Sequence, residues 1–245
     1  MATTIRLFAR RSKIILPVNL LTKRIPIYFS MILSGLLLIA PDSRAGEAGQ
    51  KFTSGMYAGV MLAVDAKGGL EGYFEESLGA GHVTCAFLLK GKDAGGQAKI
   101  VTWSDQLFEG GLDSPEKYLF SGLLRRTQTI HGEDALYMKV EQGHGHPGCS
   151  MAIGPQIGEE GISLPGIYQA KWVSLKLVKS KRASLFSAPS IDKKTKAYFI
   201  ARDVLGVLAV NGDWINVEFP RAEKKPIRGW VRAEDVEGLT PPLKK

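Results

Sequence analysis

From Met56 to Gln142 short apolar runs of strand length alternate with turn chemistry, and no long helical period interrupts them. This punctuation constrains the fold more than any other feature of the chain. "MYAGVMLAVD", "GLEGYFEE", "HVTCAFLLKG", "AKIVTW", "YLFSGLLRR" and "ALYMKVEQ" read as strands. "AKGG", "SLGAG", "KDAGGQ", "GGLDSPEK" and "HGED" between them supply the Gly, Asp and Pro that tight turns require. In "ALYMKVEQ", Leu136, Met138 and Val140 fall on one face, and Tyr137, Lys139 and Glu141 on the other. That alternation belongs to an antiparallel sheet with one buried side. The expectation is an all-β protein whose first domain, residues 46–153, is an antiparallel sheet or barrel entered through a loose Gly-rich stretch, 46–55. The Gly/Pro-rich passage that follows, "IGPQIGEEGISLPG", reads as a connection with or without one strand in it. The connection is assigned to 154–171, a second small β domain to 172–239, and a frayed tail to 240–245.

Charge is unevenly placed. The formal net charge is +8, and residues 1–45 carry +6 of it, from seven basic groups against Asp42 alone. The basicity is therefore mostly that of the N-terminal segment, and no nucleic-acid partner is expected. Residues 46–171 carry a net −5 and residues 172–245 a net +7. Two independently solvated surfaces, electrostatic docking of one domain on the other, and a basic face turned to an anionic polymer all fit that split.

Lys23-Arg24, the uncharged run Ile25–Ala40, and the small residues Ser43 and Ala45 have the layout of a secretory signal peptide over 1–45. The alternative is an uncleaved N-terminal anchor, although the run is shorter than the roughly 20 residues of a spanning helix. Either reading exports the rest of the chain to the periplasm or beyond, with no stable membrane span after cleavage. Only two cysteines exist, Cys85 and Cys149. In an oxidising compartment they are a disulfide candidate, worth about 4 kcal/mol by chain-entropy reasoning; two free thiols are the alternative.

Two tryptophans near the C-terminus raise the question of a ligand. In "DWINVEF", Ile215, Val217 and Phe219 share one face, and Trp214, Asn216 and Glu218 the other. In "GWVRAEDV", Trp230 and Arg232 oppose Val231. Both indoles thus lie on the more polar face, where an aromatic offers a flat platform with an N–H donor. The succession "ASLFSAPS", "YFIARDVLGVL", "NGDWINVEF" and "RGWVRAEDV" resembles a bacterial SH3-like (SH3b) domain over Trp172 to Val236. Asp213, Trp214, Val217, Gly229, Trp230 and Val231 match its closing motif, and Arg202-Asp203 stands where the pattern often has Gly-Asp. The resemblance implies a small barrel of five or six strands, found in exported bacterial proteins, some of which bind peptidoglycan peptides. The candidate ligand residues are Trp214, Trp230, Tyr198, Arg232 and Arg228, with Lys224 and Lys225 adding positive charge. Packing beneath a loop or the other domain is the competing use of the indoles.

Catalytic signals are sparse. His82, His131, His144 and His146 all precede the second domain. His144 and His146 could chelate a metal with Cys149 or His82, but the spacing is not that of a zinc motif. A papain-like pairing of Cys85 with His131 has the permitted order. No Gly-x-Ser-x-Gly, phosphate loop or His-Glu-x-x-His occurs. Trp103, Tyr57, Tyr73, Phe87 and Phe120 would fill a core or, in a lipocalin-like barrel, line a pocket. The reading that results is an exported, non-catalytic binding protein of the cell envelope, directed to peptidoglycan or an envelope protein, without a cofactor or metal. A cell-wall peptidase or amidase using Cys85 or a His-bound metal, and an inhibitor or immunity protein, are the alternatives. The oligomeric state is left open.

Overall fold

A computed structural model describes residues 51–104, 115–221 and 224–242. The leader assigned to 1–45 lies outside the described residues. The fold is all-β, as the strand punctuation requires. β1 (Gly55–Tyr57), β2 (Val60–Val64), β3 (Gly69–Leu78), β4 (Val83–Lys92), β5 (Gln97–Trp103), β6 (Phe120–Gln128), β7 (Asp134–Val140) and β8 (Ile162–Gln169) form a closed antiparallel barrel in sequence order. "MYAGVMLAVD", read as one strand, is two: Gly59 at φ 75° turns the chain between β1 and β2, a left-handed conformation that costs glycine nothing. The passage 154–171, read as a connection, contains β8, which closes the barrel against β7 and β1. Its Gly and Pro residues mask a strand whose pattern is mostly exposed.

Strand alternation fills the barrel. Leu62, Leu70, Phe74, Phe87, Leu89, Leu124, Leu136 and Met138 point inward and are fully buried or nearly so. The aromatics read as core or pocket are packed: Tyr57 and Phe87 inside the barrel, Trp103 and Tyr73 on its outer wall. Between β7 and β8 the chain forms two single-turn helices, α1 (Cys149–Ala152) and α2 (Gln156–Glu159). Ile157 and Cys149 of this insert join the barrel core, and the insert plugs one end. The disulfide Cys85–Cys149 pins the plug to β4 across 64 residues of sequence.

The plug also inserts His146, 1% exposed, between aromatic rings. The imidazole stacks on Phe87 at 4.7 Å and meets the edge of Phe120 at 4.7 Å. Thr102 donates its hydroxyl hydrogen to the Phe120 carbonyl at 3.3 Å, so its oxygen accepts from His146 Nε2–H at 2.8 Å. His146 Nδ1 is left to accept the Ser104 hydroxyl at 2.7 Å. Burial disfavours the charged ring and lowers its pKa from 6.5 to about 3.

A pH dependence follows with a definite sign. The folded-state pKa lies below the unfolded one, so this group's contribution is complete above about pH 6.5 and declines toward pH 3, at roughly 1.4 kcal/mol per pH unit. Asp203 acts in the opposite sense. Its burial, reinforced by the charge of Glu75 and opposed by the Ile200 N–H, raises its pKa to about 6, so its contribution is lost as pH rises from about 4 to 6. Urea unfolding of the protein and of His146→Gln between pH 7 and pH 4 should therefore separate the two. The difference between the chains should shrink with falling pH, and a pH-independent difference would refute the assignment.

β9 (Ser174–Val178), β10 (Arg182–Phe186), β11 (Lys194–Ile200), β12 (Val204–Asn211), β13 (Trp214–Arg221), β14 (Lys224–Arg232) and β15 (Val236–Gly238) form a second sheet, in the order β11-β10-β14-β13-β12-β9-β15. It is a seven-stranded half-barrel, where the resemblance implied five or six strands. Its concave core holds Ala183, Leu185, Phe199, Leu205, Val207, Ile215, Val217 and Val231. Between β11 and β12, Arg202 takes φ 77°, the left-handed geometry that a glycine would adopt more readily.

The two sheets share a third core. Met56, Met61, Ala63, Leu88 and Trp103 from the barrel wall pack on Trp172, Leu175, Leu177, Val204 and Leu239. Residues 51–242 accordingly belong to one compact unit. Among the described residues every ion pair lies within the barrel or within the second sheet, and none joins the two. Hydrogen bonds cross instead. The Ser54 hydroxyl donates to the Trp172 carbonyl at 2.6 Å, and the Leu175 N–H donates to Glu71 at 2.8 Å. Among the described residues no helix is long and apolar enough to cross a membrane.

Candidate functional site

The convex face of the second sheet has two parts. Toward β9 and β12 it is covered by the barrel. Toward β13, β14, β10 and β11 it carries the aromatic residues singled out in the sequence. The antiparallel register sets Trp214 opposite Arg232, Asn216 opposite Trp230, and Glu218 opposite Arg228. β10 continues the row: Phe186 pairs with Trp230, and Ser184 pairs with Tyr198 of β11. Because Val217, Val231, Ala183 and Leu185 fill the concave core, the alternate residues must lie on the convex side.

There one pair of rings is in contact. Trp214 meets Phe186 edge-on, with centroids 4.8 Å apart. The Arg232 guanidinium lies 5.0 Å over the Trp214 ring, and that of Arg182 lies 3.6 Å over Tyr198. Trp214, Trp230 and Tyr198 are half-buried, while Phe186 is 6% exposed. The arrangement is an aromatic band with a guanidinium at each flank, able to hold flat or apolar groups and to attract anions. Phe186 was absent from the candidates, yet its signal was present: in "RASLF" it shares the parity of Ser184, not that of the core residues Ala183 and Leu185.

Glu218 requires a correction. Strand parity put it on the wet face with Trp214, and it is indeed on that face, but it is 1% exposed. The barrel and the connecting segment cover this end of the sheet. Trp172 donates Nε1–H to Glu218 Oε1 at 3.0 Å, and Arg228 donates from Nε to Oε2 at 2.6 Å. The indole lies flat over Gly206, where any Cβ would fall 2.4 Å from Nε1. The Tyr168 hydroxyl is buried beside the same carboxylate; burial first, and that charge second, push its pKa up. Arg228, proposed as a ligand residue, is thus the countercharge of a buried carboxylate, though its side chain remains 66% exposed. Lys224 and Lys225 are exposed at the start of β14.

The catalytic candidates do not converge. Cys85 is bonded to Cys149 and offers no thiolate in this state, and His131 sits exposed at the tip of the β6–β7 hairpin. His144 is exposed while both nitrogens of buried His146 are engaged by Thr102 and Ser104. Among the described residues no group of three or more His, Cys, Asp or Glu is arranged to hold a metal ion. No family model, curated protein or solved structure matches this chain.

Proposed function

We propose that this is an exported, non-catalytic binding protein of the bacterial cell envelope, whose second sheet is an SH3b-like module directed to peptidoglycan or an envelope protein. The aromatic band carries this reading. Trp214, Phe186, Trp230 and Tyr198 lie side by side outside the sheet's own core and outside the core shared with the barrel. Arg232 and Arg182 stacked on the flanking rings give it a cationic border. The closing motif "GDWINV" and "GWV" falls on the adjacent strands β13 and β14, and Arg202 has the backbone geometry suited to the family's usual glycine. Both observations support the module assignment. In the binding step the rings supply contact area at little entropic cost, and the guanidiniums draw in carboxylate or phosphate groups.

The test is co-sedimentation of the oxidised protein with purified cell-wall sacculi. Trp230→Ala and the Trp214→Ala/Trp230→Ala pair should each weaken binding by on the order of tenfold or more. Circular dichroism on the same samples checks that the sheet is retained. Folded variants that sediment as well as the unaltered chain would sink the peptidoglycan version.

A further inference from the structure

A second surface lies along the β8–β1 edge of the barrel. β8 is paired on one side with β7 only as far as Ala135↔Pro165, and on the other with β1 from Gly166 to Gln169. The β6–β7 hairpin tip closes on itself: Thr129 N–H donates to the Glu133 carbonyl at 2.8 Å, and Gly132 N–H to the Thr129 carbonyl at 2.9 Å. Among the described residues, Ile167 to Gln169 of β8 therefore have no strand beside them on that side. Ala170 N–H donates to the Ser54 carbonyl at 2.8 Å, toward β1. Antiparallel alternation then turns the N–H and C=O of Gln169 the other way, past the end of β7. Gln169 is exposed, and Ile167 is 62% exposed at the bulge beside it.

A groove of about 240 Å³ runs along this edge, lined by Met56, Tyr57, Ile167 and Gln169 with Glu133 and Asp134 at its rim. Asp134 is held by Arg126, whose Nε lies 2.7 Å from Oδ1. Glu133 is exposed and, among the described residues, has no side-chain partner. An unpaired strand edge is a template for another strand. The free carboxylate selects its charge, and it disfavours a second copy of this chain, since two-fold pairing would bring Glu133 toward its own counterpart.

The geometry points to a β-augmentation site: the Ile167–Gln169 edge accepts a short extended peptide whose lysine or arginine reaches Glu133. The backbone of Gln169 exchanges a pair of hydrogen bonds with one peptide residue, and the adjacent side chain occupies the groove over Met56 and Ile167. The site shares no residue with the aromatic band and stands whether or not that band binds cell wall.

The experiment is an amide-shift titration of the ¹⁵N-labelled oxidised chain with the capped peptide Val-Lys-Val-Lys-Val. Shifts should concentrate at Gly166–Gln169, Glu133 and Asp134, and Glu133→Gln should weaken binding roughly threefold. The same peptide N-methylated at every residue cannot donate from either edge and should not bind. Val-Glu-Val-Glu-Val should bind more weakly than the lysine peptide. Equal binding of the methylated or the glutamate peptide, or shifts located elsewhere, would overturn the proposal. So would concentration-dependent shifts at these residues without peptide, which would make the edge a self-association surface.

Discussion

Alanine at position 172 is expected to cost about 4 kcal/mol of stability, and to lower the melting temperature by roughly 10 °C. Trp172 is 1% exposed and sits in the segment joining the two sheets, at the centre of the core they share. Its loss removes a large apolar contact from both sheets. It also withdraws the N–H that satisfies Oε1 of buried Glu218, and an unsatisfied buried carboxylate adds a penalty of its own. Trp172→Phe separates the two effects. It keeps most of the packing and loses only the donor, so it should fall between the native chain and the alanine variant. Equilibrium urea unfolding of all three chains is the measurement. A phenylalanine variant as stable as the native chain would show that the hydrogen bond to Glu218 contributes nothing net.

Replacing both Cys85 and Cys149 by serine is expected to lower stability by a similar amount, about 4 kcal/mol. The half-cystines are 0% exposed, and the bridge closes a 64-residue span between β4 and the plug. Most of the loss comes from the greater freedom of the unfolded chain, but the folded state should respond locally too. Hydrogen exchange should accelerate in α1 and α2, which the bridge ties to the barrel wall, while β12 to β14 keep their protection. Acceleration spread evenly over both sheets would mean that the bridge stabilises the whole unit rather than the plug. The variant should also make the His146 environment easier to open. Cys149 N–H bonds to the His146 carbonyl at 3.0 Å, so the plug and the buried imidazole move together.

The legibility of the fold in the sequence follows from what alternation encodes. In "ALYMKVEQ" the period of two named Leu136, Met138 and Val140 as inward residues, and all three are 0% exposed inside the barrel. The two cysteines paired as chemistry and compartment suggested. β8 was hard to see because Pro165 and Gly166 interrupt it and most of its residues face solvent, leaving no apolar alternation to detect.

The candidate site was half legible for a related reason. Alternation assigned Trp214 and Glu218 to the polar face of one strand and Trp230 and Arg232 to that of the next, and the register sets them beside one another across β13 and β14, with Arg228 opposite Glu218. It carried no information about what covers each end of that face. His146 shows the same limit: nothing in its Gly-rich stretch marks it as buried, yet the plug that carries it folds back into the barrel.

The sequence by itself determined the all-β class, the inward and outward faces of the alternating strands, the single possible cysteine pair and the aromatic character of the convex face. These are local properties, set by backbone geometry and by which side chains tolerate water. Only the tertiary structure decided that the barrel docks on one half of the convex face, burying Glu218 beneath Trp172 and leaving Trp214 and Trp230 beyond the contact. It likewise decided that β8 outruns β7 and leaves an edge open. Both outcomes depend on residues more than a hundred positions apart or on strand lengths matched across a closed barrel, and no periodicity within one segment encodes such distances.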